Sequence, residues 1–199
     1  MITREQIELW LKGIASGVIV LDRDNEGMAR ATLSALSLSS EPASALPEGY
    51  LSPHFTLAEL IHSDTANAKG IDNTPDAAAE MNLAVLASVL EEIRHVCGDH
   101  PVTISSGYRC DALNRAVGGV SDSAHRYGLA ADIVIPECGD PLHVAQLIEP
   151  HMADWHIDQL INEEGGGGRW VHVGVAAPGE VPRCQAMSMH GGTYTTGLA

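Results

Sequence analysis

Residues 104–133 of this 199-residue chain hold a histidine and an aspartate between two runs that are typical of β-strands. Gly128 and the small residues Ala130 and Ala131 lie between His125 and Asp132, so the backbone can turn tightly and bring both side chains to one point. A neutral imidazole and a carboxylate are both good Zn²⁺ ligands, but a catalytic zinc takes three protein ligands and keeps a fourth position for water. The stretch therefore predicts two ligands of a metal site, and a third must come from elsewhere.

The run RWVHVGV contains the best candidate for that third ligand. Its strict alternation puts three valines on one face of a strand and His172 on the other, between Trp170 and Gly174. The valines can then face the core while His172 faces a cleft. A histidine in such a position is more often a polar surface residue than a ligand, so the run alone leaves both interpretations open.

Taken together, these residues resemble the M15 zinc peptidases. The similarity is closest to the phage-type branch of the D-Ala-D-Ala carboxypeptidase group, whose fold is shared with the hedgehog signalling domain. It covers roughly Leu51 to Val175. The matching pieces are SGYR (Ser106 to Arg109), Asn114, Gly118-Gly119, His125-x-x-Gly128-x-Ala130-x-Asp132 and the later WVHV.

The resemblance implies a single Zn²⁺ held by His125, Asp132 and His172, and activity on the stem peptides of bacterial peptidoglycan. It also implies that Arg109 steadies the oxyanion or a substrate carboxylate, for which a guanidinium offers a charged fork of donors. Ser123, two residues before the first ligand, matches a position that hydrogen-bonds substrate. A surface ion pair for Arg109 and a turn hydroxyl for Ser123 are the alternatives.

A zinc peptidase also needs a base near the attacking water. In some relatives an acid stands three residues before the last histidine ligand, but here that position is Arg169. Glu163 and Glu164 end the preceding run IDQLINEE, and four glycines then fold the chain back into RWVHV. Aligning this hairpin with the hedgehog-type one favours Glu163, whereas alternation does not say which face of the strand looks towards the metal.

The predicted fold class is α+β: a small, mainly antiparallel sheet with helices packed on one face and the metal in a cleft on the other, as in the hedgehog and DD-peptidase fold. A helical appendage is expected at residues 1–38, a Ser- and Pro-rich linker at 39–53 and the peptidase domain at 54–199. Thr74, followed by Pro75, is expected to begin a long helix that ends near Cys97. QAMSMHGGTYTTG predicts a final hairpin that turns on two glycines.

Composition excludes several other classes. A formal net charge of −15 argues against nucleic acid as a partner, and no apolar run approaches the roughly 20 residues of a membrane span. The N-terminus lacks the basic and then apolar pattern of a signal peptide, so we expect a protein made in the cytoplasm that meets the wall during phage lysis or within a virion. The four cysteines show no C-x-x-C spacing, which argues against a second, structural zinc. Because no secretion signal is found, they are interpreted as reduced thiols, with a disulfide as the less favoured alternative. The sequence does not indicate an oligomeric state.

Two functions from different classes remain. The first is hydrolysis of a peptidoglycan peptide bond, either as a D-Ala-D-Ala carboxypeptidase or as an endopeptidase. The second is a non-catalytic zinc-binding module of a virion or other assembly, which Arg169 in place of a nearby acid keeps open.

Overall fold

The structure, a computed structural model, describes residues 46–199. The predicted appendage at 1–38 and the first residues of the predicted linker lie outside the described residues. The three-part division of the chain therefore stays a prediction. In chain order the elements are α1 (Leu57–Ile61), α2 (Asp64–Lys69), α3 (Ala77–Val96), β1 (Thr103–Ser106), α4 (Asp111–Ala116), a 3₁₀ turn (Ala124–Tyr127), β2 (Ala130–Val134), α5 (Pro141–Ile148), a second 3₁₀ turn (Glu149–His151), β3 (Ile157–Gly165), β4 (Gly168–Val175), β5 (Gln185–His190) and β6 (Thr193–Thr196).

Helix starts follow capping chemistry. At α1 a capping box is present: the Thr56 hydroxyl accepts from the backbone N–H of Glu59, whose carboxylate in turn accepts from the Thr56 N–H. The predicted start of α3 at Thr74 is wrong by two residues. The N-cap is Asp76, whose Oδ1 accepts from Ala79 N at 2.8 Å, while the Thr74 hydroxyl donates to Asp72 in the preceding turn.

One six-stranded sheet, in the order β1-β2-β4-β3-β5-β6, organises the described part of the chain. The α+β class is confirmed, but the expected mainly antiparallel sheet is corrected to a mixed one, because β5 pairs with β3 in parallel. The chain leaves β4 beside the start of β3 and enters β5 at that same end. Asp158 holds this crossing in place by accepting from the backbone N–H of Arg183 at 2.8 Å and from its guanidinium. The predicted hairpin of β5 and β6 is confirmed, with His190 opposite Thr193.

The sheet has one core face and one open face. Val171, Val173 and Val175 of β4 are buried in the hydrophobic core, as their alternation predicts. The core also takes in α3 and α5 through residues such as Leu86 and Ile148, both fully buried. Helix α3 therefore packs against the core face of the sheet and leaves the other face free for a site.

The end of the predicted linker packs onto the long helix. Ser52 is 5% exposed and donates to Glu91 of α3 at 2.7 Å, and the backbone N–H of His54 donates to the same carboxylate at 2.7 Å. None of the helices between residues 46 and 199 combines the length and apolar character that a membrane span requires.

Candidate metal centre

Three potential metal ligands meet on the open face of the sheet. His125 lies in the 3₁₀ turn before β2, Asp132 in β2, and His172 in β4 directly opposite Asp132. Asp132 Oδ1 lies 2.9 Å from His172 Nδ1 and 3.2 Å from His125 Nε2, and the two ring nitrogens are 3.2 Å apart. The residues are only 3%, 7% and 8% exposed for His125, Asp132 and His172. The structure thus brings together the three residues selected from the sequence.

This triangle suits a tetrahedral divalent ion. Zinc–nitrogen and zinc–oxygen bonds of about 2.0–2.1 Å in tetrahedral geometry separate ligand atoms by about 3.3 Å. The distances of 2.9–3.2 Å between the donor atoms come close to that value. Two imidazoles and one carboxylate are also a donor set that leaves a fourth position for water or substrate. The residues therefore fit a catalytic rather than a closed structural site.

A backbone carbonyl orients His125. Its Nδ1–H donates to the carbonyl oxygen of Gly107 at 2.7 Å, and since a carbonyl can only accept, the proton must be on Nδ1. The unprotonated Nε2 then faces Asp132 and His172. Second contacts of this kind determine the tautomer and ring orientation of metal-binding histidines.

The protonation states of His125 and Asp132 favour the binding of a metal cation. Burial lowers the pKa of His125 below its usual value, against the opposing influence of Asp132. Burial alone would raise the pKa of Asp132, but the neighbouring His125 and His172 outweigh it, so the pKa of this carboxyl lies far below its usual range. A neutral imidazole and an ionised carboxylate are the forms that bind a metal.

A bulge in β1 brings Arg109 to the same place. Ile104 pairs with Ile133 and Ser106 with Asp132, so Ser105 is an extra residue in the ladder, and its hydroxyl donates to the Asp132 carbonyl at 3.0 Å. Arg109 donates from Nε to Ser106 Oγ at 2.8 Å and from a terminal nitrogen to Asp132 Oδ2 at 2.6 Å. Its guanidinium therefore lies beside the ligands.

Strand register separates the two glutamates at the end of β3. Ile161 lies opposite His172 and Glu163 opposite Trp170, so Glu163 shares the open face with the ligands. Glu164 points to the other face, with its carboxylate 3.8 Å from Arg169 Nε. Burial raises the pKa of Glu163 despite the opposing influence of His172. Of the two glutamates, Glu163 is therefore the one on the same face of the sheet as the ligands.

Comparison with known proteins bears directly on this site. A family model described as peptidase M15 matches residues 53–173, which include every residue of the triangle and Glu163. The chain belongs to the peptidase M15 family. This confirms the family assignment made from the sequence.

One curated relative of this chain is the zinc D-Ala-D-Ala carboxypeptidase of Streptomyces albus G. It is 40% identical to this chain over 82 residues, which are 40% of this chain and 31% of the relative. The match thus spans less than a third of the relative's length. The β5–β6 hairpin lies beyond the end of the family match at residue 173.

Ser123, the remaining site residue predicted from the M15 resemblance, directly precedes the 3₁₀ turn that carries His125. It is partly exposed, and among the described residues its side chain accepts no capping hydrogen bond. Its backbone is part of the turn, since its carbonyl accepts from Arg126 N at 3.1 Å, and substrate binding by its hydroxyl stays a proposal.

The sequence interpretation missed Asn73, which supports the M15 site from behind. This residue is 9% exposed; its Nδ2 donates to the carbonyls of Ile61 and Tyr108 at 2.8 and 3.0 Å, and its Oδ1 accepts from Cys110 N at 2.8 Å. These bonds hold the turn that presents Gly107 and Arg109. No spacing signal links Asn73 to that turn, because the contact is tertiary.

Gly128 is expected to be intolerant of substitution. Its φ is +71°, and a Cβ there would stand 2.5 Å from the Ala79 carbonyl oxygen of α3. Gly128→Ala is expected to lower the free energy of unfolding by roughly 1–3 kcal/mol from backbone strain alone, with a further loss from the clash. Chemical denaturation measures this. Gly166→Ala is the control, since its φ is +58° with no atom within 4 Å; equal losses in the two variants would contradict the contact with α3.

Proposed function

We propose that this M15 family member is a zinc-dependent peptidase that hydrolyses a peptide bond in the stem peptides of bacterial peptidoglycan. The observation that carries the proposal is the convergence of His125, Asp132 and His172, with Glu163 on the same face of the sheet. The Streptomyces albus G relative is named as a zinc D-Ala-D-Ala carboxypeptidase, and this supports both the metal and the peptide substrate that we propose.

His125, Asp132 and His172 would hold the zinc. A zinc ion bound there would polarise the substrate carbonyl and lower the pKa of a water molecule towards about 7. Glu163 accepts the proton of the attacking water and returns it to the leaving amine. The partly buried position that raises the pKa of Glu163 suits this exchange, because a base works best when its pKa is nearer the working pH.

Arg109 is proposed to steady the negative charge that develops on the substrate oxygen, or a substrate carboxylate. Its Nε is held by Ser106 and one terminal nitrogen by Asp132, so the guanidinium is oriented before substrate arrives. Such preorganised donors act at the moment when charge develops and need no rearrangement.

Arg109→Lys is expected to lower kcat/KM by roughly 10- to 100-fold, because lysine keeps the charge and loses the planar fork of donors. Steady-state kinetics on a cell-wall peptide measures this. Arg183→Lys is the matched control, because Arg183 also makes a close carboxylate pair, with Asp158, at the opposite end of β3. Full activity in Arg109→Lys would contradict a role in charge stabilisation.

Digestion of purified peptidoglycan followed by mass spectrometry tests the function and identifies the bond. Release of free D-Ala supports a carboxypeptidase, and new termini inside the stem or cross-bridge support an endopeptidase. Both outcomes fit action on the wall during phage lysis or from a virion. Full zinc occupancy without any cleavage would refute the peptidase and leave the non-catalytic zinc module, for which Arg169 in place of a close acid is the observation in favour.

A further inference from the structure

The open face of the sheet extends well beyond the three ligands. Trp170 of β4 lies opposite Glu163 of β3, Glu163 is in register with Met189 of β5, and Met189 lies opposite Tyr194 of β6. Residues in register across a sheet point to the same face. These four residues therefore form one row that runs from beside His172 to the edge of the sheet, and we call it the outer row.

Met189 and Tyr194, at the far end of the outer row, lie beyond residue 173, where the family match ends. Met189 is 9% exposed and forms a buried apolar surface, whereas its cross-strand neighbour Tyr194 is 56% exposed to solvent. Met189 Sδ accepts from the backbone N–H of Gly192 at 3.2 Å, which ties this surface to the hairpin turn. An exposed tyrosine ring beside a buried apolar side chain is a suitable contact for a bound substrate peptide.

The Tyr194 hydroxyl is kept as a donor. A tyrosine hydroxyl is protonated at neutral pH in any case, and burial, together with the negative charges of Glu163 and Asp132, raises the pKa of Tyr194 further. Peptide carbonyls and carboxylates are acceptors that such a donor can bind. At the other end of the row, the indole Nε1 of Trp170 is buried and has no hydrogen-bond partner among the described residues.

Strand spacing gives the scale of the outer row. Neighbouring strands lie about 4.8 Å apart, so the three steps from β4 to β6 cover about 14 Å. An extended peptide rises about 3.4 Å per residue, and this distance equals about four residues. The tyrosine side chain itself spans part of this distance, so the substrate residues that follow the scissile dipeptide along the outer row come within reach of Tyr194.

We propose that Tyr194 is a specificity-determining residue that contacts the substrate peptide away from the scissile bond and makes the enzyme prefer long stem peptides. The inference rests on the proposed function and deepens it. Tyr194 is on β6, two strands beyond Glu163, and we assign it a contact with the peptide rather than a part in the chemical step.

The test compares two substrates that share the scissile bond identified by digestion: a stem pentapeptide and a short acylated dipeptide. Tyr194→Ala is expected to lower kcat/KM for the pentapeptide roughly tenfold and to leave the dipeptide unchanged, as loss of a remote binding contact would. Tyr194→Phe separates the hydroxyl from the ring. The control is Thr193→Ala, on the same strand but the opposite face. Unchanged zinc content and melting temperature confirm that each variant is folded.

Equal losses on both substrates, or no loss on the pentapeptide, would overturn the assignment of Tyr194. If the wild-type protein cleaves neither substrate, the proposed function fails, and calorimetric binding of the pentapeptide to the zinc-loaded protein then decides the inference alone. Weaker binding to Tyr194→Ala supports a peptide contact, and unchanged binding refutes it.

Discussion

Glu163→Gln is expected to lower kcat by roughly 10²–10⁴ while zinc stays bound. The amide has nearly the shape of the carboxylate but cannot accept a proton from water. Glu163 shares the open face with His172 through the register of β3 and β4, yet it is not one of the three convergent ligands. Removing its charge should therefore affect the chemical step and leave the metal in place.

Single-turnover and steady-state kinetics, with zinc content measured on the same samples, check this expectation. Glu164→Gln is the matched control, because the adjacent carboxylate is on the opposite face near Arg169 and His190. A variant Glu163→Gln with full activity would remove Glu163 from the mechanism. If Glu164→Gln were the inactive one, the register argument would be wrong.

His172→Ala is expected to lose both the metal and the activity. The His172 side chain supplies one of three ligand atoms. Without it, only the donors of His125 and Asp132 remain. Two donors are fewer than the three that catalytic zinc sites in proteins provide. Zinc binding stabilises the folded state by mass action, by about 2.7 kcal/mol at a hundredfold excess over Kd. The wild-type melting temperature should therefore rise with added zinc, whereas that of the variant should not.

Elemental analysis of zinc and thermal denaturation with and without chelator measure these effects. His190→Ala is the control, since His190 is in register with Glu164 and is on the opposite face of the sheet from the ligands. Stoichiometric zinc in His172→Ala would show that the metal is bound elsewhere. A wild-type protein whose activity survives chelation would contradict a metal-dependent reaction.

Local patterns in the sequence predicted much of this site. His125 and Asp132 are close along the chain, with Gly128 between them, and their meeting depends on a short turn whose chemistry is visible in the sequence. The alternation of Val171, Val173 and Val175 likewise predicted which side of β4 is buried. These features are local because a strand's two faces are set by its own alternation.

Other features required the tertiary structure. Alternation placed Glu163 and Glu164 on opposite faces of β3, but only the pairing of β3 with β4 showed which face holds His172. The start of α3 was misplaced because Thr74 and Asp76 both have capping side chains, and the Asp72 contact that occupies Thr74 decides between them.

The sequence by itself determined the family, the α+β class and the residues that converge on the site, since each depends on motifs and periodicities within short segments. Only the tertiary structure decided that β5 runs parallel to β3, that Asn73 supports the turn before Arg109, and that Tyr194 stands in the outer row with Glu163. The physical reason is that register and strand order come from contacts between distant segments. Such contacts are selected by packing of the whole core, and no single segment encodes them.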